Sequence, residues 1–172
     1  KGGPNGAAIG PDGALYLCNN GGCFTEIDFG GLCFPGPFDK SKYSGGRIQR
    51  VDITTGVVTD LYTECDGRPL RAPNDLVFDN NGGFYFTDHG IRDLEARTSD
   101  FTAIYYAKAD GSSIREIEFP VEGPNGIGLS PDGKKIYWAE THTGRVFQRD
   151  IVEPGVLAPS MPGDSSVVLY GL

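Results

Sequence analysis

Apolar and polar positions alternate with a period of two in short runs, and Gly, Pro, Asn or Asp interrupts every run. The period predicts β-strands and the interruptions predict tight turns. One pattern occurs three times. The first copy is Gly3-Pro4-Asn5-Gly6-Ala7-Ala8-Ile9-Gly10-Pro11-Asp12-Gly13, followed by Ala14 to Leu17. The second is Ala72-Pro73-Asn74-Asp75-Leu76-Val77-Phe78-Asp79-Asn80-Asn81-Gly82-Gly83, followed by Phe84 to Asp88. The third is Gly123-Pro124-Asn125-Gly126-Ile127-Gly128-Leu129-Ser130-Pro131-Asp132-Gly133, followed by Lys134 to Trp138. Each copy predicts a hairpin at its Asp/Asn-Gly turn; in the first and third copies Pro11 and Pro131 preset φ, and Gly13 and Gly133 supply φ > 0.

Two further strands follow each hairpin. They are predicted at 47–53 and 57–62, at 103–109 and 113–119, and at 145–151 and 166–170, with a Pro/Gly-rich loop from Glu153 to Asp164 in the third unit. Each unit is thus a four-stranded antiparallel meander. The repeated asparagines are 69 and 51 positions apart, and an insertion over residues 23–44 stretches the first interval. Four strands at a period near fifty predict a β-propeller blade rather than an ordinary β-sandwich. The fold expected is all-β, a single propeller segment over residues 1–172 with blades at about 3–71, 72–122 and 123–172. Three blades make half of a six-bladed ring. The end faces then need the remaining blades of a longer chain or a second copy.

Composition narrows the picture. The 172 residues include 26 Gly, 12 Pro, 10 Phe, 8 Tyr and one Trp, which excludes a helical bundle and leaves enough apolar area for a core. No 18-residue apolar run exists, so no membrane-spanning helix is expected. Fifteen basic against 23 acidic residues give a net charge of −8, which argues against a nucleic-acid partner and suits a cation site. The four cysteines form no Cys-x-x-Cys pair, so a structural zinc is not expected. A local Cys23–Cys33 disulfide and free thiols both remain open, and so does the compartment, cytoplasmic or secreted/periplasmic.

The first strand of a blade lines the central channel. Asn5, Asn74 and Asn125 start those strands and should meet at one mouth, where an amide oxygen is a hard ligand for Ca²⁺ or Mg²⁺. The alternative is that each Asn only holds its own turn. The connections from second to third strands open at the same mouth. They carry the aromatic insertion, Asp88-His89-Gly90, and Glu140 to Gly144 with His142. The insertion reads as a pocket wall or as a loop packed on itself. His89 reads as a pocket hydrogen-bonder or a bystander, His142 as structural, and Asp88 as a supporting carboxylate or a turn cap. No Gly-x-Ser-x-Gly elbow is present.

The second and third copies, with Tyr137-Trp138-Ala139-Glu140-Thr141 and Gly144-Arg145, resemble the senescence marker protein/gluconolactonase/luciferin-regenerating enzyme family. The resemblance implies a six-bladed propeller with one divalent cation, usually calcium, that hydrolyses lactones and related esters. It assigns Asn74 and Asn125 as two cation ligands. It expects the remaining ligands, a Glu and an Asp that is also the base, before Lys1 and beyond Leu172. The substrate Arg of some members would fall at Ala72, with Arg71 adjacent. Arg71, Asp88, His89 and Asn5 are the candidate substrate contacts. A non-catalytic propeller that binds a ligand or protein is the competing function, because fold alone does not decide activity.

Overall fold

The computed structural model describes residues 2–160 and 167–171. In the first unit β1 (Pro4–Ile9) pairs with β2 (Leu15–Asn19). A hairpin of β3 (Glu26–Phe29) and β4 (Leu32–Pro35) follows, then β5 (Arg47–Val51) and β6 (Val58–Tyr62) complete a sheet of order β1-β2-β5-β6. A short hairpin, β7 (Glu64–Cys65) with β8 (Arg68–Pro69), leads to the second unit. There β9 (Pro73–Phe78), β10 (Gly83–Asp88), β13 (Thr102–Lys108) and β14 (Ile114–Val121) form one sheet. The hairpin of β11 (Arg92–Asp93) and β12 (Thr98–Ser99) interrupts it. The third unit contains β15 (Pro124–Leu129), β16 (Lys135–Glu140), β17 (Arg145–Glu153), β18 (Val156–Leu157) and β19 (Val167–Tyr170). All described strand pairs are antiparallel, and the three sheets form no closed ring among the described residues.

The turns form as their residues dictate. Asp12 and Asp132 accept the N–H of Ala14 and Lys134 at 3.1 Å, with Gly13 and Gly133 at φ of 77° and 70°. Asp79 does the same for Asn81 and Gly83. Three small hairpins go beyond the expected strands. Asp66-Gly67 and Gly30-Gly31, all at positive φ, turn β7 into β8 and β3 into β4. The expected loop from Glu153 contains β18 instead. Pro154-Gly155 makes a turn, and Val156–Leu157 folds back onto β17. β19 then pairs with the other end of β17. Ser166 and the loop's end at Asp164 lie outside the described residues.

The core lies between sheets. Tyr16, Ile48 and Tyr62 of the first sheet pack on Phe84, Phe86 and Tyr105 of the second. Tyr85, Ile104 and Tyr106, from its other face, pack on Ile136 and Trp138 of the third. Successive residues of a strand point to opposite faces. Both faces of the middle sheet are covered, so every residue of β10 is buried, whereas β16 alternates. Tyrosine hydroxyls at the sheet edges remain paired: Tyr62 donates to the carbonyls of Lys108 or Ser113, 2.7 and 2.8 Å away, and Tyr16 to that of Ala109. The first strands β1, β9 and β15 run side by side.

Phe84 is fully buried among the rings of Tyr16, Tyr62, Phe78 and Phe86. Phe84→Ala should therefore cost about 3–5 kcal/mol in equilibrium urea unfolding. A loss below about 1 kcal/mol would contradict this packing.

Candidate functional site

The site is built where each first strand starts. Pro4, Pro73 and Pro124 stand opposite Asn19, Asp88 and Glu140, the last residues of the second strands. In all three units the next residue donates its N–H back across the pair. Asn20 donates to Gly3 O, His89 to Ala72 O and Thr141 to Gly123 O, at 2.8–3.0 Å. Behind this bond a buried side chain gathers the neighbouring amides. Asn19 Oδ1 accepts from Gly3 and Gly21. Asp88 accepts from Arg71 and Ala72 at 2.6 Å and from Gly90 at 3.0 Å. Glu140 accepts from Trp138 Nε1 and the Thr143 hydroxyl, with a further backbone bond from Glu122. The device fixes the path of the chain into each Asn.

Asp88 is wholly buried. Burial raises its carboxyl above the ordinary value of 3.8, and the three backbone N–H groups oppose that rise. Its oxygens face the main chain that leads to Asn74. Arg71 is turned away from this carboxylate: its Nε donates to Asp100 at 2.8 Å and its guanidinium lies 5.9 Å from the Tyr43 ring. Ala72 is buried with Cys23 and Ile91.

Asn74, Asn125 and Asn5 occupy matching positions on neighbouring strands. Asn74 is buried, whereas Asn125 and Asn5 are exposed. Asn125 Nδ2 donates to Thr141 Oγ1 at 3.2 Å, which presents the acceptor end of the amide. Among the described residues no three His, Cys, Asp or Glu side chains could share a metal ion, so the amide oxygens are the candidate donors here.

Three rings from three units meet at this end. Phe24 lies 6.1 Å from His89, and His89 lies 5.2 Å from His142, both edge-on. His89 Nδ1 faces the Gly90 carbonyl at 3.3 Å. A carbonyl only accepts, so in this contact Nδ1 carries the hydrogen, and in the neutral ring Nε2 is then the acceptor. Burial, then His89 and Arg92, hold His142 below the ordinary His value, so it is neutral at pH 7. Sequence reasoning separated these two histidines. His89 directly follows one second strand and His142 stands two residues after the next, which puts both at the same end without showing that they meet.

The root of the insertion packs onto the mouth through Cys23, Phe38 and Tyr43. Tyr43 donates to the Arg71 carbonyl at 2.5 Å. Its tip is exposed, with Phe29 at 70% and Leu32 at 65%. The insertion's root, together with Gly2, forms a cavity of about 720 Å³ lined by Gly22, Phe24, Glu26, Lys42 and Tyr43. All four cysteines are free. Cys33 lies exposed on β4 while Cys23 is buried under the mouth, so the local bridge is not formed. Burial pushes the Cys23 thiol up to about 12.

Residues 1–160 match the family described as SMP-30/Gluconolactonase/LRE-like region. A gluconolactonase of Zymomonas mobilis is 30% identical over 143 residues, covering 78% of this chain and 33% of its own. A lactonase drp35 of Staphylococcus saprophyticus is 33% identical over 133 residues, covering 74% and 37%. The chain thus spans about a third of the length of these relatives. The solved structure of a gluconolactonase from Xanthomonas campestris superposes with a TM-score of 0.66 at 22% identity, over 91% of this chain and 46% of that one. A chain of a nidogen/laminin complex superposes at 0.56 and 18% identity, over 86% and 44%. These two show the fold alone, a β-propeller type.

The raised Asp88 value gives a test with a definite sign. The folded chain takes up this proton before the unfolded one does, so the group's contribution is complete below about 3.8 and is lost as pH rises through the raised value. In thermal melts from pH 3 to 7, the Tm of the parent should fall relative to that of Asp88→Asn as pH rises. A constant difference would contradict the burial of the charge.

Proposed function

The chain belongs to the SMP-30/gluconolactonase/LRE-like family, and from that premise we propose that it is part of a calcium-dependent lactone hydrolase built on a six-bladed propeller. The observation that carries the reading is the pair Asn74 and Asn125, set at one position on two adjacent strands whose starts are held by matching buried bonds. Neutral amide oxygens suit a hard cation. Asn74 and Asn125 would hold the ion. The remaining ligands, a Glu and an Asp, would come from blades of a protein of the relatives' length. When bound, a divalent cation supplies polarisation of the ester carbonyl and stabilises the oxyanion.

The chain's own residues shape the rest. Thr141 orients the Asn125 amide. His89 offers Nε2 as an acceptor, and Phe24 and neutral His142 flank it. The lactone would enter beside the insertion, whose Phe24 and Tyr43 line the adjoining cavity. A second reading, a propeller that binds a partner without catalysis, draws on the fold shared with a chain of the nidogen/laminin complex.

In the full-length protein, Asn74→Ala and Asn125→Ala should each lower kcat/KM for a lactone by about 100-fold or more. Chelation should abolish turnover and Ca²⁺ should restore it. Turnover that survives both changes would overturn the calcium-dependent reading, and a folded parent without turnover would favour the binding module.

Replacing residues 26–35 by a short Gly linker tests the wall. The ratio of rates on small and bulky lactones should shift by about tenfold. An unchanged ratio would remove the insertion from substrate selection.

A further inference from the structure

The three sheets are separate, and no backbone ladder joins β9 to β15 among the described residues. The relative slide of Asn74 and Asn125 must therefore be fixed by side chains. Two bonds do this. Thr87 Oγ1, on β10, donates to the Asn125 carbonyl at 2.7 Å. Asp75 Oδ2, on β9, accepts the Ile127 N–H at 3.2 Å. The second unit thus holds the main chain on both sides of Gly126, directly after Asn125. The two grips are linked, because Asp75 N–H donates to the same Thr87 hydroxyl at 3.1 Å. Thr87 is fully buried. At the position after each Asn only the second unit carries a carboxylate. A Cβ on Gly6 would lie 2.5 Å from Asp75 Oδ1, so the first unit needs glycine to close against it, while one on Gly126 would lie 3.9 Å from Oδ2.

We propose that Thr87 and Asp75 form an inter-sheet clamp that sets the spacing of Asn74 and Asn125, and that both are positioning residues for the cation. The inference rests on the cation reading above. Oxygen ligands at about 2.3–2.6 Å leave little room for drift between two strands that share no ladder. The clamp holds the Asn125 strand by its main chain and leaves both amides available.

The test uses the full-length protein, Ca²⁺ alone as probe in calorimetry, and amide hydrogen exchange by NMR. Thr87→Val and Asp75→Ala should weaken Ca²⁺ binding about five- to tenfold, the size of one lost hydrogen bond. Thr87→Ser and Asp75→Asn keep the donor and the acceptor oxygen, and should stay within about twofold. Exchange of the Ile127 amide should accelerate about tenfold in Asp75→Ala and not in Asp75→Asn, while Tyr85, inside the β10 ladder, stays protected. Unchanged Ca²⁺ affinity in Thr87→Val and Asp75→Ala overturns the proposal. So does a loss in Asp75→Asn equal to that in Asp75→Ala, which would assign the effect to charge. A folded parent that binds no Ca²⁺ overturns the cation reading, and the Ile127 exchange then decides whether the clamp itself exists.

Discussion

A sheet covered on both faces has no spare surface, and this constraint governs the second unit. Phe84 and Phe86 face the first sheet while Tyr85 faces the third, so β10 is buried along its whole length. Neither neighbour can shift without opening one of the two cores. That packing brings β1, β9 and β15 side by side and carries the three asparagines to one end. The site's location follows from apolar packing, and polar bonds supply only its finer register.

The finer register comes at the strand starts, where buried oxygen acceptors collect nearby donors. Neutral Asn19 and the Asp88 carboxylate take main-chain amides, whereas Glu140 takes the Trp138 indole and the Thr143 hydroxyl. Burying a carboxylate is unfavourable unless donors surround it. Asp88 has three such donors and still has its carboxyl raised by burial. The second unit leads directly to buried Asn74, and Asp88 holds the two residues before Pro73 through both oxygens. A single amide oxygen, as in Asn19, would leave one of those N–H groups without this partner.

Much of this was legible in the sequence. The Pro-Asn starts and Asp-Gly turns gave the three units and their twelve expected strands to within a residue or two, because local turn chemistry sets them. The third unit was harder, since Pro154-Gly155 reads equally as loop or turn until β17 is there to pair with Val156. Asp66-Gly67 was a hairpin signal overlooked between two longer strands. Asn74 and Asn125 could be singled out from the repeat alone. The contact of His89 with His142 and the bond from Thr87 to Asn125 could not, because they join residues 53 and 38 positions apart through side chains. Periodicity reports which face a residue occupies, and only packing reports which neighbour it meets.

Repetition explains the frame, whereas chemistry requires departures from it. Three identical units would place three identical groups around the mouth and give no direction to a substrate. The departures here are few and adjacent. Asp75 replaces the glycine found at Gly6 and Gly126, and His89 stands where the other units have Asn20 and Thr141. Each is tolerated because a neighbour yields: Gly6 leaves room beside Asp75, and Gly123 leaves room for the His142 ring that meets His89, where an added Cβ would lie 2.8 Å from its Nδ1. Gly123 has a φ of 59°, so a larger residue would be strained there even without the ring. The glycines of the repeat therefore act as more than turn formers. They are the vacancies into which the second unit's Asp75 and the third unit's His142 fit, and they make an asymmetric site possible on a repeating backbone.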